Sequence, residues 1–172
     1  MSPQSTSAPI ASARTLVASL MAALVVIGLV LSFVVTSGAR RPGETMPVWP
    51  YGAVLAVGAL AALLILVAGY RVSPVPPGLD AAEARKSGVA AFMQSTMIRL
   101  ALSESVAFVS IVLMFSARPR SVQIYYLGGA ATLVLMAYHV WPGQRVIERV
   151  QQNLDRDGGR SDLASVLAGQ AY

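Results

Sequence analysis

Glu104 stands alone among the carboxylates of this chain in having membrane-type sequence on both sides, Leu100-Ala101-Leu102-Ser103 before it and Val106 to Phe115 after it. An acid in hydrocarbon costs at least ~2.5–3.5 kcal/mol even on permissive insertion scales, so it requires a hydrogen-bonding partner or a proton. Two kinds of chemistry meet that need: a protonatable site that carries a proton or an ion, and a polar clamp that fixes helix register. Ser103 and Ser105 flank the acid and can also bond back to their own helix. Thr132, midway along the next apolar run, is the best partner within the chain. Ala101 and Ala107 are small enough on that side for another helix to approach.

Arg99 lies five residues before Glu104, a separation that rotates the two side chains roughly 140° apart and rules out a salt bridge along one helix. It is placed three residues inside a membrane boundary expected near Thr96, from where its long side chain would snorkel to the headgroups. On the same scale Glu104 is about 12 Å deep, close to the midplane. His139, beside Tyr138 and Trp141 at the end of the last apolar run, reads as an interfacial anchor. Other chemistry has little to build on. There is no cysteine for a thiolate site, and a single histidine cannot make a zinc site, which takes three or four protein ligands. No nucleophile–base pair or nucleotide-binding motif is present, so neither an enzyme nor a metal or other cofactor is expected.

The elements that must carry these groups follow from hydropathy. Of the 172 residues, 55% are hydrophobic and 12% charged, against ~25% charged in ordinary soluble domains. Four runs of about 20 residues or more are nearly free of charge, the length that spans a bilayer as a helix. They predict helices over 15–37, 48–70, 81–116 and 122–141, forming a transmembrane domain over 14–142. Residues 1–13, small and polar with Pro3 and Pro9, are expected to be disordered. The 23-residue first run exceeds the 7–15 residues of a signal-peptide core, so cleavage near Ser37-Gly38-Ala39 is not expected. Pro74, Pro76 and Pro77 exclude a helix between the second and third runs, and Asp80 with Glu83 marks the start of the third. After Pro142-Gly143, Val146, Ile147, Val150 and Leu154 form one apolar stripe, predicting an amphipathic helix in a tail over 143–172 that lies on the membrane or against a partner. The fold class is an all-α membrane protein, a four-helix transmembrane bundle with a C-terminal amphipathic helix.

Basic residues set the orientation. Arg14, Arg71, Arg85, Lys86, Arg145, Arg149, Arg156 and Arg160 fall on one side and Arg40, Arg41, Arg118 and Arg120 on the other, which favours both termini in the cytoplasm of a cell whose plasma membrane the chain crosses. This dispersal at segment ends accounts for the net charge of +5 without nucleic acid as a partner. The excess of arginine over the lone Lys86, with abundant Ala, Val and Gly, points to a GC-rich bacterial gene. The two halves also echo one another. Tyr70-Arg71-Val72-Ser73-Pro74 parallels Tyr138-His139-Val140-Trp141-Pro142, by duplication of a hairpin or by similar needs at equivalent membrane boundaries.

The segment Ile98-Arg99-Leu100-Ala101-Leu102-Ser103-Glu104-Ser105-Val106-Ala107-Phe108, continued by Val109–Phe115, resembles the carboxylate-bearing helix of rotary ATP synthase c subunits, the proteolipids. That resemblance implies that Glu104 carries a proton or sodium ion, with Ser103, Ser105 and Thr132 as hydrogen-bond partners. Outside these residues the chain departs from the family: helix two holds only Gly52, Gly58 and Gly69 in place of a glycine repeat, and the preceding loop is proline-rich. The residues themselves favour a non-enzymatic accessory or scaffold subunit that packs against other membrane proteins or itself in the lipid bilayer. The alternative is a proton- or ion-coupling transport component working through Glu104.

Overall fold

The computed structural model describes residues 8–36, 45 and 47–168. Of residues 1–13, expected to be disordered, 1–7 lie outside them and 8–13 are helical; the candidate cleavage segment 37–39, most of the 38–47 loop and residues 169–172 also lie outside. The described chain is helical, in the order α1 (Ala8–Thr36), α2 (Trp49–Leu64), α3 (Ala81–Ser116), α4 (Val122–Leu135), α5 (Gln144–Leu154) and α6 (Leu163–Leu167). Two of these run on into a π-helical turn, α2 through Ile65–Gly69 and α4 through Met136–Val140. Among the described residues no strand occurs. Three helices are long and apolar enough to cross a membrane, and α4 with its bent continuation makes up to four.

Local chemistry sets the ends. Pro50 sits in the first turn of α2, where its missing N–H is not needed. The Asp80 carboxylate accepts from the Ala82 N–H at 3.0 Å and caps α3. Ser121 does the same for α4, accepting from the Gln123 N–H. Helix α1 begins at Ala8 rather than at Thr15, because Pro9 in a first turn does not interrupt a helix and Ala11–Ala13 continue it. Hydroxyls along α1 donate to carbonyls one turn back, Thr15 to Ala11 and Ser19 to Thr15, which satisfies them without a partner helix.

Helix α3 is central, packing against both α2 and α4, while α1 lies on α4. The α1–α4 contact is close at Gly28, where a Cβ would come within 3.0 Å of the Tyr125 ring. The Tyr125 hydroxyl donates to the Leu24 carbonyl at 2.6 Å, and Ser32 bonds Tyr126. The opposite side of α1, including Val26, Leu29, Val30 and Phe33, is exposed, as a face turned to lipid would be.

The tail does not lie free. A bend of 57° after α4 turns α5 against the first half of α3. The stripe Val146, Ile147, Val150 and Leu154 is buried there with Ala84, Phe92, Val75, Leu163 and Leu167. Each such side chain contributes about 1.5–3 kcal/mol when covered. The amphipathic face expected on the membrane or a partner is thus covered within the chain. The reason is that the first turns of α3 extend beyond its apolar span and offer an apolar side of their own. The proline-rich segment, without regular structure over 71–76, packs with them, the Val75 N–H donating to the Leu154 carbonyl at 2.9 Å.

Gly159 makes this docking possible, because a Cβ there would stand 2.1 Å from the Val75 carbonyl oxygen. A Gly159→Ala variant will therefore push the proline segment off the tail at about 1–3 kcal/mol, the range for overpacking a filled site. Trypsin cleavage at Arg156 and Arg160 in micelles should quicken by roughly tenfold. An unchanged rate would mean that the tail is held without this contact.

Candidate functional site

Arg99 is the largest fully buried side chain among the described residues, with 0% of its surface exposed. Snorkelling is therefore not what it does. The α2 and α4 helices both end beside it, and a helix end leaves carbonyls without partners and carries the negative end of the helix dipole. Arg99 Nη1 donates to the His139 carbonyl at 2.7 Å, Nη2 to Thr96 Oγ1 at 3.0 Å and Nε to the Ser95 carbonyl at 3.1 Å. Ser95, one turn earlier on the same face of α3, donates to the Gly69 carbonyl at the end of α2 at 2.7 Å. Two helix ends are thereby tied to α3 by one guanidinium and one hydroxyl.

Aromatic rings complete the enclosure. The Arg99 guanidinium lies 4.6 Å from the centroid of the Tyr70 ring, and the Arg149 guanidinium of α5 lies at the same distance from that ring. A desolvated cation–π contact contributes about 2 kcal/mol. The Tyr70 hydroxyl is 3.0 Å from Nδ1 of His139, whose ring meets Tyr138 edge-on at 4.8 Å. Tyr138 in turn stands under Arg145 at 4.4 Å. His139, expected as an interfacial anchor, is instead buried inside this stack. Gly69 admits the stem of Arg99, since a Cβ there would fall 2.7 Å from its Cγ. Among the described residues no carboxylate pairs with Arg99, so carbonyl dipoles, a hydroxyl and a π face compensate the charge.

Glu104 has the opposite environment. It is half-buried on a stripe of α3 that runs through exposed Met97, Ile98, Ala101, Phe108 and Val112, with Phe108 68% exposed. Among the described residues its carboxyl group has no hydrogen-bond or ion-pair partner. The residues expected to serve it are turned elsewhere. Ser103 donates to the Arg99 carbonyl at 2.8 Å, Ser105 to the Leu102 carbonyl at 2.7 Å and Thr132 to the Gly128 carbonyl at 2.9 Å. Ser103 and Thr132 lie fully buried in the core of the bundle, and Glu104 is one residue, about 100°, further round α3. Ala101 does share the outward side of Glu104, whereas Ala107 is buried.

No protein family, curated protein or solved structure matches this chain. What it can do rests on these two charged groups. The Arg99 cluster is closed and internally bonded, an arrangement suited to holding helices. The Glu104 carboxyl is open on its outer side. Among the described residues no group of three or more His, Cys, Asp or Glu side chains is gathered as a metal would need. Tyr70, Ser95, Thr96 and Gly69 were not singled out as site residues from the sequence. The signal for Ser95 was its spacing of four from Arg99, which puts a hydroxyl and a guanidinium on one face.

Proposed function

We propose that this chain is a four-helix plasma-membrane protein with cytoplasmic termini, and a non-enzymatic accessory or scaffold subunit that presents Glu104 to a helix of another membrane-embedded subunit or of a second copy. One observation carries the reading: a carboxyl group without an internal partner, on the outward stripe of an apolar helix. In hydrocarbon such a group gains a hydrogen bond only from a neighbour, and exposed Ala101 one turn away leaves room for that neighbour to come close. The internally clasped helix ends suit a rigid presenting surface. The excess of basic residues on the side of the tail supports the orientation.

The second reading, a proton- or ion-coupling component, draws on the same openness of Glu104 and on the resemblance of residues 98–115 to the proteolipid carboxylate helix. Substitution separates the two. With a photo-crosslinker at Phe108, Glu104→Leu should lower helix–helix crosslinking in native membranes by about 3- to 30-fold, the worth of one interhelical hydrogen bond of about 0.6–2 kcal/mol. Glu104→Gln should keep most of it, because an amide still donates and accepts. Crosslinks to lipid alone in the unsubstituted chain would defeat the docking reading. Proton flux in vesicles that Glu104→Gln abolishes would establish the coupling one.

A further inference from the structure

Where α2 gives way to the proline segment, two adjoining clefts share Arg71, Val72 and Ser73. One, of about 300 Å³, runs along α3 past Ser87 and Gln94 to Ile98. The other, of about 520 Å³, extends to Asn153 and Arg156 of the tail. Neither is lined by a carboxylate. The Arg71 side chain is exposed and, among the described residues, unpaired, while Arg156 has only an exposed contact with Asp157 at 3.5 Å. The Asn153 amide is already donating to the Tyr70 and Arg149 carbonyls, and Ser95 to that of Gly69, so these two line the clefts without offering a donor.

We propose that Arg71, with Ser73, Ser87 and Gln94, holds the phosphate of an anionic membrane phospholipid. The available groups are a guanidinium fork, two hydroxyls and an amide, a donor set that matches phosphate oxygens, and the guanidinium engages two of them at once. The absence of a lining carboxylate disfavours a headgroup that carries its own cation beside the phosphate. The direction of the cleft selects a lipid over free phosphate. From Ser87 to Ile98 it follows α3 for about 16 Å, from turns expected in water to the outward apolar stripe that continues through Ala101. A headgroup seated at Arg71 would lay its acyl chain along that stripe. The assignment rests on α2 and α3 crossing a membrane and is independent of what Glu104 does.

Native mass spectrometry of the full chain from micelles holding equal phosphatidylglycerol and phosphatidylcholine, with the same acyl chains, tests it. One phosphatidylglycerol should be retained in preference, and Arg71→Gln should reduce that preference at least about fivefold, the effect of one interfacial basic charge. Lys86→Gln removes the same charge outside the cleft and should leave the preference intact. Helicity and melting of Arg71→Gln should match the parent, since the side chain is exposed. Equal retention of the two lipids, or an equal loss in Lys86→Gln, overturns the site. Inorganic phosphate that raises the melting temperature as much as phosphatidylglycerol does overturns the lipid as its occupant. Each of these outcomes leaves the crosslinking behaviour of Glu104 unaffected.

Discussion

An Arg99→Ala variant will be less stable than the parent by about 3 kcal/mol, a fall of about 6–12 °C in melting temperature for a chain of this size. Truncating a large buried side chain costs about 2–5 kcal/mol through lost contacts and the cavity left behind. The His139 carbonyl also loses its donor, at about 1–3 kcal/mol for a group left unsatisfied, while the Thr96 hydroxyl keeps its bond to the Phe92 carbonyl. Relief from burying a cation offsets part of this, which is why the expected sum is well below the individual maxima. Arg99→Met separates the contributions, because it keeps most of the volume and none of the donors. Arg99→Lys keeps the charge, yet an ammonium cannot reach the Ser95 carbonyl, the His139 carbonyl and Thr96 Oγ1 in the geometry of a planar fork. The expected order of stability in micelles is therefore parent, then Lys and Met, then Ala. A Met variant as stable as the parent would mean that the two helix ends do not depend on the cation, and the clasp would be mere packing.

Hydropathy and spacing made the long helices legible, and α3 most of all. Its start was written in Asp80, whose side chain caps it. What they did not carry was azimuth. Depth along α3 treats Arg99 and Glu104 alike, as charges near a boundary and near a midplane. Which of them faces inward depends on where the ends of α2 and α4 arrive, and that is a tertiary fact. The π-helical turns had no visible signature in Ile65–Gly69 or Met136–Val140, although they set the positions of Gly69 and His139. The parallel between Tyr70 and Tyr138 was visible, but the two rings do different things: Tyr70 meets Arg99 and Arg149, and Tyr138 meets Arg145. For α5 the periodicity identified the apolar stripe and said nothing of its cover, which came from the proline segment and the first turns of α3. Serine and threonine positions misled for a related reason. Near Glu104 each hydroxyl finds a carbonyl in its own helix, so proximity in sequence to a carboxyl group did not make it a partner.

Gly128→Ala will weaken the bundle by about 2 kcal/mol, within the range for overpacking a filled interior. A Cβ at Gly128 would stand 2.3 Å from the Ser110 Cβ and 3.3 Å from the Val106 carbonyl oxygen. Both atoms are fixed to the backbone of α3, so no rotamer change relieves the contact and the helices must part. Between apolar helices in lipid, close packing supplies much of the attraction that burial from water supplies elsewhere, which makes this separation expensive. Gly58→Ala is the matched control, since its Cβ would meet Val106 Cγ1 at an ordinary 3.9 Å, and it should be near neutral. Adding Ser110→Gly to Gly128→Ala removes the opposing Cβ and should restore most of the loss, whereas Ser110→Ala should not. Unfolding in bicelles measures all four chains, and failure of Ser110→Gly to rescue would show that the contact at Gly128 is not what limits the approach. The Gly128 contact and the Arg99 clasp hold α4 at points eleven residues apart, Gly128 and His139, about 16 Å along the helix. Sites so separated act independently to within about 0.5 kcal/mol, so the losses in the Arg99→Ala, Gly128→Ala double variant should add. A larger coupling would mean that α4 moves against α3 as one rigid body, released at either end by a change at the other.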